Sequence, residues 1–174
     1  NTKNILSITI MNNISFIGMA ACGKSTVGKA VAEKLNDNFV DTDLLIEQKH
    51  GASLEEIKNK YGYKFVRAEE EKVILNLNSS NKIISTGGSA VYSQESMMHL
   101  GTFSKIIYIN TPLEIIMKRI DVGQKRGLAV PEGMPIPDIY NEREPLYQKY
   151  SEITLDGSMT IQQLVDEVLK HFHE

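Results

Sequence analysis

The chain has 174 residues, 41% of them hydrophobic, enough for one domain whose core needs neither disulfide nor metal staples. Its single cysteine, Cys22, excludes an intrachain disulfide and suits a reducing cytoplasm, and no apolar run reaches membrane-spanning length. A net charge of -3, with no basic cluster beyond Lys58-Asn59-Lys60, argues against nucleic acid as a partner.

Residues 1–10 precede Met11, which stands where a natural start would; they read as an added edge strand, an expression remnant or a misassigned start, and they lack a signal-peptide pattern. Asn13 to Ile17 then reads as a buried strand. It empties into Gly18-Met19-Ala20-Ala21-Cys22-Gly23-Lys24-Ser25, which fits the phosphate-loop pattern GxxxxGKS at every fixed position. Glycines at both ends let the backbone curl, so that N–H groups around Gly18, Ala21, Cys22 and Gly23 can face phosphates. Lys24 adds a point charge, Ser25 suits a magnesium ion, and Thr26 completes the nucleotide-binding set. A helix opens near Lys24, with Val27, Val31 and Leu35 on its apolar face, so its positive dipole end meets the same anion. Cys22 itself reads as a small residue at a free position of the loop.

Asn38 to Asp41 reads as a second strand that delivers Asp41 and Asp43, flanking one threonine, to the start of a loop. Taken alone, the pair is equally a solvated turn or a helix cap. Leu44 to His50 is predicted helical. Ser53 with Glu56 forms a capping box for a helix to Tyr61, and a further helix is predicted from about Phe65 to Leu77. Within it, Glu69-Glu70-Glu71 reads mainly as a solvated face. Lys82 to Ser85 is the third strand, ending in Thr86-Gly87-Gly88-Ser89, a glycine turn at the edge where parallel sheets bind ligands.

A short helix around Ser93 to Leu100 carries Met97 and Met98 as core fillers, and Lys105 to Ile109 is the fourth strand. Thr111, Pro112 and Glu114 supply the cap, first-turn proline and capping glutamate of a helix to about Ile120. No aspartate ends the third or fourth strand, which favours a small-molecule kinase over motor or switch ATPases. From Asp121 to Pro137 periodicity disappears among three glycines and three prolines, the pattern of either a disordered segment or a functional lid. A helix through Tyr140 to Tyr150, a strand at Ile153 to Leu155 and a Thr160-capped helix complete the chain. The four histidines lack metal-ligand spacing and read as surface residues. Strands alternate with helices throughout, which predicts an α/β fold with a parallel sheet covered on both faces.

With the phosphate loop, the Asp41/Asp43 pair, an arginine-bearing helix, the glycine turn and an arginine-bearing lid in this order, residues 14 to about 172 resemble the shikimate kinases. The resemblance implies a P-loop kinase fold with five parallel strands in the order 2-3-1-4-5, in a single domain with a lid at about 121–137. It implies Mg2+ and ATP as phosphate donor, and transfer to a hydroxyl of shikimate, giving shikimate 3-phosphate for aromatic amino acid biosynthesis. Carried over by position, Asp41 contributes to the magnesium site through water, and Asp43 holds the acceptor hydroxyl and takes its proton. Arg67, with Glu70 three residues on, and Arg143 in Glu142-Arg143-Glu144-Pro145-Leu146-Tyr147 grip the substrate carboxylate, beside Gly87, Gly88 and Ser89. Planar guanidinium forks suit that ligand. Arg126 reaches the transferring phosphoryl group, and Arg119 stacks on adenine. Without the family frame, each arginine is a surface ion-pair partner or helix-end cation.

Four positions depart from the family pattern: Ser89 replaces a third glycine, Gly127 follows the lid arginine in place of proline, Val66 replaces phenylalanine, and Tyr63 stands where glutamate is common. Most fall on the acceptor side. They leave open a paralogue acting on a gluconate-like or homoserine-like acceptor, and, from another class, a non-catalytic sensor of nucleotide or ligand. A monomer is expected.

Overall fold

The structure, a computed structural model, describes residues 12–121 and 128–172. The readings of residues 1–10, Arg126 and Gly127 therefore lie outside the described residues. Along the chain run β1 (Ile14–Ile17), α1 (Lys24–Leu35), β2 (Phe39–Asp41), α2 (Thr42–His50), α3 (Leu54–Tyr61) and α4 (Tyr63–Leu75). There follow β3 (Ile83–Ser85), a single 3-10 turn (Ala90–Tyr92), α5 (Gln94–Phe103), β4 (Lys105–Asn110), α6 (Leu113–Asp121), α7 (Ile136–Tyr150), β5 (Ile153–Asp156) and α8 (Ile161–Lys170). Among the described residues, no helix is long and apolar enough to cross a membrane.

The five strands are parallel and lie in the order β2-β3-β1-β4-β5, as the resemblance implies. β1 is central because Ile14, Ser15, Phe16 and Ile17 are all buried, which only a strand covered on both faces permits. Its one polar side chain, Ser15, is satisfied by the Ser104 hydroxyl at 2.7 Å. Pairing aligns Phe16 with Ser85, and Ser85 with Asp41. The carboxyl ends of β1, β3 and β2 thus stand level, and whatever follows each strand emerges at one place.

Two apolar cores divide the molecule. The larger fills both faces of the sheet, with Phe16, Ile84, Ile107, Val27 and Leu164 among its members. The smaller joins Ile46 of α2, Ile57 of α3, Val66 of α4 and Ala129, so these helices form a cap with its own packing. Burying each isoleucine contributes roughly 1.5–3 kcal/mol. The expected capping box of Ser53 with Glu56 forms ahead of α3, and the Thr160 cap of α8 proves to be a second box, with Gln163.

Several elements begin earlier than periodicity predicts. Helix α2 starts at Thr42, so Asp43 lies in its first turn rather than in a loop, and the Asp41 carboxylate caps it through the N–H groups of Asp43 and Leu44. Helix α7 starts at Ile136, with Pro137 in the first turn, where its missing N–H has no partner to lose. Met98 is 63% exposed, not a core filler, whereas Met97 is buried.

The triple glutamate is not a solvated face. Glu69 and Glu70 are each 2% exposed. Glu69 accepts from Lys49 at 2.7 Å, His50 at 2.8 Å and Lys72 at 3.0 Å, which ties α2 to α4 and makes His50 a bracing residue rather than a surface one. The Lys49 and His50 contacts foremost hold its carboxyl down from 4.5 to about 2, against the upward push of burial. Because the folded state favours the ionised form, this contribution is present above pH 4.5 and is lost as pH falls toward 2. Glu69→Gln is expected to cost about 2 kcal/mol at neutral pH and to flatten the loss of stability across that acid window. Urea melts at a series of pH values check this; equal acid slopes in the two proteins would refute it.

Candidate active site

The phosphate loop leaves β1 and turns through Ala21 (φ 63) and Gly23 (φ 102) into α1. At Gly23 the left-handed backbone would strain any side chain. The loop is pinned from outside: the Thr111 hydroxyl donates to the Cys22 carbonyl at 2.9 Å, and Arg119 Nη1 to the Ala21 carbonyl at 2.8 Å. Thr111 thus ties the start of α6 to the loop through its hydroxyl. Arg119 stands exposed at the loop's rim. Inside, the Met19 carbonyl accepts from the Cys22 N–H at 3.2 Å and from Lys24 Nζ at 3.0 Å. Lys24 is 6% exposed, and the first turn of α1 holds no acidic residue to compete with a bound anion. Thr26 is exposed in that turn, and the Cys22 side chain is buried.

Beside the loop, the Ser25 hydroxyl donates to Asp41 Oδ2 at 2.7 Å and lies 2.9 Å from Ser85 Oγ. The other Asp41 oxygen caps α2. Three hard oxygen ligands next to an ammonium suit magnesium held jointly with phosphates, which keeps waters and takes few protein ligands. Among the described residues no cluster of three His, Cys, Asp or Glu side chains offers a self-sufficient metal site. The donor set fits the ion. Sequence reasoning missed Ser85, although its place at a strand end opposite Asp41 is the signal that finds it.

The glycine turn after β3 forms the other wall. A Cβ at Gly87 would lie 2.5 Å from both Asp43 Oδ1 and Glu70 Oε1, and one at Gly88 would lie 2.6 Å from Arg143 Nη1. Bare backbone here is what lets two carboxylates and a guanidinium close in. The Gly87 N–H donates to Thr42 Oγ1 at 3.0 Å, so the threonine between the two aspartates has a task of its own. Ser89 Oγ donates to Glu70 Oε2 at 2.8 Å, and Thr42 Oγ1 to Glu70 Oε1 at 3.4 Å. Burial pushes the Glu70 carboxyl up, with the Ser89 hydrogen bond pulling the other way. Glu70, three residues after Arg67, is thus held by the glycine turn and by Thr42.

Arg143 is 1% exposed, and its Nη2 has no hydrogen-bond partner among the described residues. A buried donor of this kind costs stability unless a ligand satisfies it. Its Nε donates to the Tyr92 hydroxyl at 3.4 Å, and nearby Tyr147 donates to the Gly88 carbonyl at 2.6 Å. Arg67 Nε donates to the Ala129 carbonyl at 2.8 Å, and its guanidinium lies 3.9 Å from the Tyr92 ring centroid and 4.9 Å from that of Tyr63. Both arginines thus come to Tyr92, a residue that no sequence signal singled out. Arg143 lines the cleft, and Arg67 meets it at the Tyr92 ring.

A single cleft of about 750 Å³ brings together Lys24, Ser25, Asp41, Asp43, Ser89 and Arg143. That volume suits a small polar molecule. Val66, Leu54 and Ala129 from the cap complete its wall.

A family model described as shikimate kinase matches residues 20–173. A shikimate kinase of Caldanaerobacter subterraneus is 34% identical over 166 residues, covering 93% of this chain and 96% of that protein. One of Haemophilus influenzae is 34% identical over 163 residues, covering 88% and 91%. Among solved structures, shikimate kinase from Acinetobacter baumannii in complex with shikimate superposes with a TM-score of 0.80 at 28% identity, covering 92% of each chain. With its phosphate loop, strand order and nearly whole length matched in this way, the chain belongs to the shikimate kinase family.

Proposed function

We propose that the protein transfers the γ-phosphoryl group of ATP to a ring hydroxyl of shikimate. The observation that carries this reading is the junction at Gly87 and Gly88, where a carboxylate fit for a hydroxyl and a buried guanidinium fit for a carboxylate meet in the cleft that holds Lys24.

On this reading the loop N–H groups and Lys24 hold the donor's phosphates, and Arg119 flanks the base. Ser25 directly, and Asp41 through water, would hold a magnesium ion that neutralises phosphate oxygens. Arg143 and Arg67 grip the acceptor carboxylate and turn its hydroxyl toward Asp43. The hydroxyl oxygen forms a bond to the γ-phosphorus as the bond to the ADP oxygen breaks, and the hydroxyl proton passes to Asp43. Alignment and charge neutralisation supply most of the rate. Arg126, outside the described residues, would add charge at the transferring group from a lid at about 121–137. We read the whole chain as one such domain, monomeric and cytoplasmic, with no nucleic acid or membrane partner.

Shikimate is expected to stimulate ADP release from Mg-ATP, with Lys24→Ala lowering kcat by about 10²–10³-fold. No stimulation of the unaltered protein by shikimate would sink the reading. Asp43→Asn should lower turnover by at least about 10²-fold while ATP affinity, measured by calorimetry, stays within about twofold. Arg143→Lys loses the planar fork, so the KM for shikimate should rise about tenfold or more with the KM for ATP unchanged. Equal rises in both constants would remove Arg143 from the acceptor site.

A further inference from the structure

Tyr92 ends the 3-10 turn that follows Gly88 and Ser89, and four contacts converge on it. The Arg67 guanidinium lies 3.9 Å from its ring centroid and that of Arg143 lies 5.4 Å away. Its hydroxyl donates to Glu142 Oε1 at 2.7 Å and accepts from Arg143 Nε. One side chain therefore links α4, which carries Arg67, to α7, which carries Glu142 and Arg143.

We propose that Tyr92 is a positioning residue that sets the spacing of Arg67 and Arg143 and thereby fixes recognition of the acceptor's carboxylate. Two guanidinium groups brought toward one small anion repel each other before it arrives. The electron-rich face of an aromatic ring offsets part of that repulsion, most strongly where water is excluded. The ring is also rigid, with two side-chain torsions, so it fixes a distance that flexible side chains would not.

An aromatic holder differs from a carboxylate in one respect that matters here. A carboxylate bound to Arg67 would neutralise it and compete with the ligand's own carboxylate. Among the described residues, the partners of Arg67 are two rings and the Ala129 carbonyl, none of which carries a negative charge. Tyr63, half-buried at the start of α4, is the second of those rings, so its presence and that of Tyr92 have one physical explanation. Glu70, three residues after Arg67, is engaged by Ser89 and Thr42. The charge of Arg67 is thus left for an acceptor that carries an anion, beside the Nη2 of Arg143, unpartnered among the described residues.

This inference rests on shikimate as the acceptor, and the test separates the two. ADP release is measured for the unaltered protein, Tyr92→Leu and Tyr92→Phe, with shikimate and with its methyl ester. Tyr92→Leu should raise the KM for shikimate about tenfold or more, with kcat and the KM for ATP within about twofold. Tyr92→Phe keeps the ring and should stay within about threefold of the unaltered protein. With the ester, which has no anion to grip, all three should agree within about twofold. A shikimate KM for Tyr92→Leu within about twofold of the unaltered value overturns the proposal. So does a matching rise in the KM for ATP, or an equal loss with the ester. If Tyr92→Leu does not fold, Tyr63→Leu takes its place, with an expected rise of about threefold or more in the shikimate KM, and no rise overturns the proposal. If the unaltered protein releases no ADP in response to shikimate, the functional reading itself fails.

Discussion

One oxygen of Asp41 accepts two N–H groups at the start of α2 while the other accepts the Ser25 hydroxyl, so a single carboxylate fastens the helical cap to the phosphate loop. The register of β2 against β3 sets Asp41 opposite Ser85, and that of β3 against β1 sets Ser85 opposite the residue next to the end of β1. The phosphate-loop side and the glycine-turn side of the cleft therefore inherit their relative position from sheet hydrogen bonding. A shift of one residue in β2 would turn Asp41 away from Ser25 and take the start of α2, with Asp43, along with it.

Much of this arrangement is legible in the sequence because its signals are local. The phosphate loop is contiguous, the caps of α3 and α8 declare themselves within four residues, and buried apolar runs mark the strands. What escapes is whatever depends on a partner far along the chain. The glutamates at 69 and 70 look like a solvated stripe until α2 supplies Lys49 and His50 to one, and the glycine turn supplies Ser89 to the other. Thr111 has the form of a helix cap, and no local rule reveals that the Cys22 carbonyl lies within its reach. Tyr92 carries no motif at all; its meaning comes from two arginines that the chain delivers from 25 residues before it and 51 after it.

The glycine-turn wall of the cleft is built on absent side chains as much as on present ones. At Gly87 and Gly88 the backbone is approached so closely by Asp43, Glu70 and Arg143 that a methyl group would displace them. Ser89, at the third position of the turn, shows where that restriction ends: its side chain has room, and it uses the room to hold Glu70. Ala129 joins the cap in a similar double capacity, its side chain buried in the small core and its carbonyl bound to Arg67. Packing of the cap and orientation of an arginine are thus one and the same constraint.

The Met19 carbonyl bears on how tightly the loop can hold a nucleotide. With Lys24 Nζ donating to it, the ammonium is already solvated by the protein, at a site where a bare charge would be costly. An arriving phosphate therefore exchanges one partner for another, and the net gain is the difference between an anionic acceptor and a neutral one. The loop behaves as a spring held at its working length: it spares the incoming ligand the entropy of ordering Lys24, at the expense of some raw affinity. For a protein that must release ADP after every transfer, this arrangement limits how long the spent nucleotide stays.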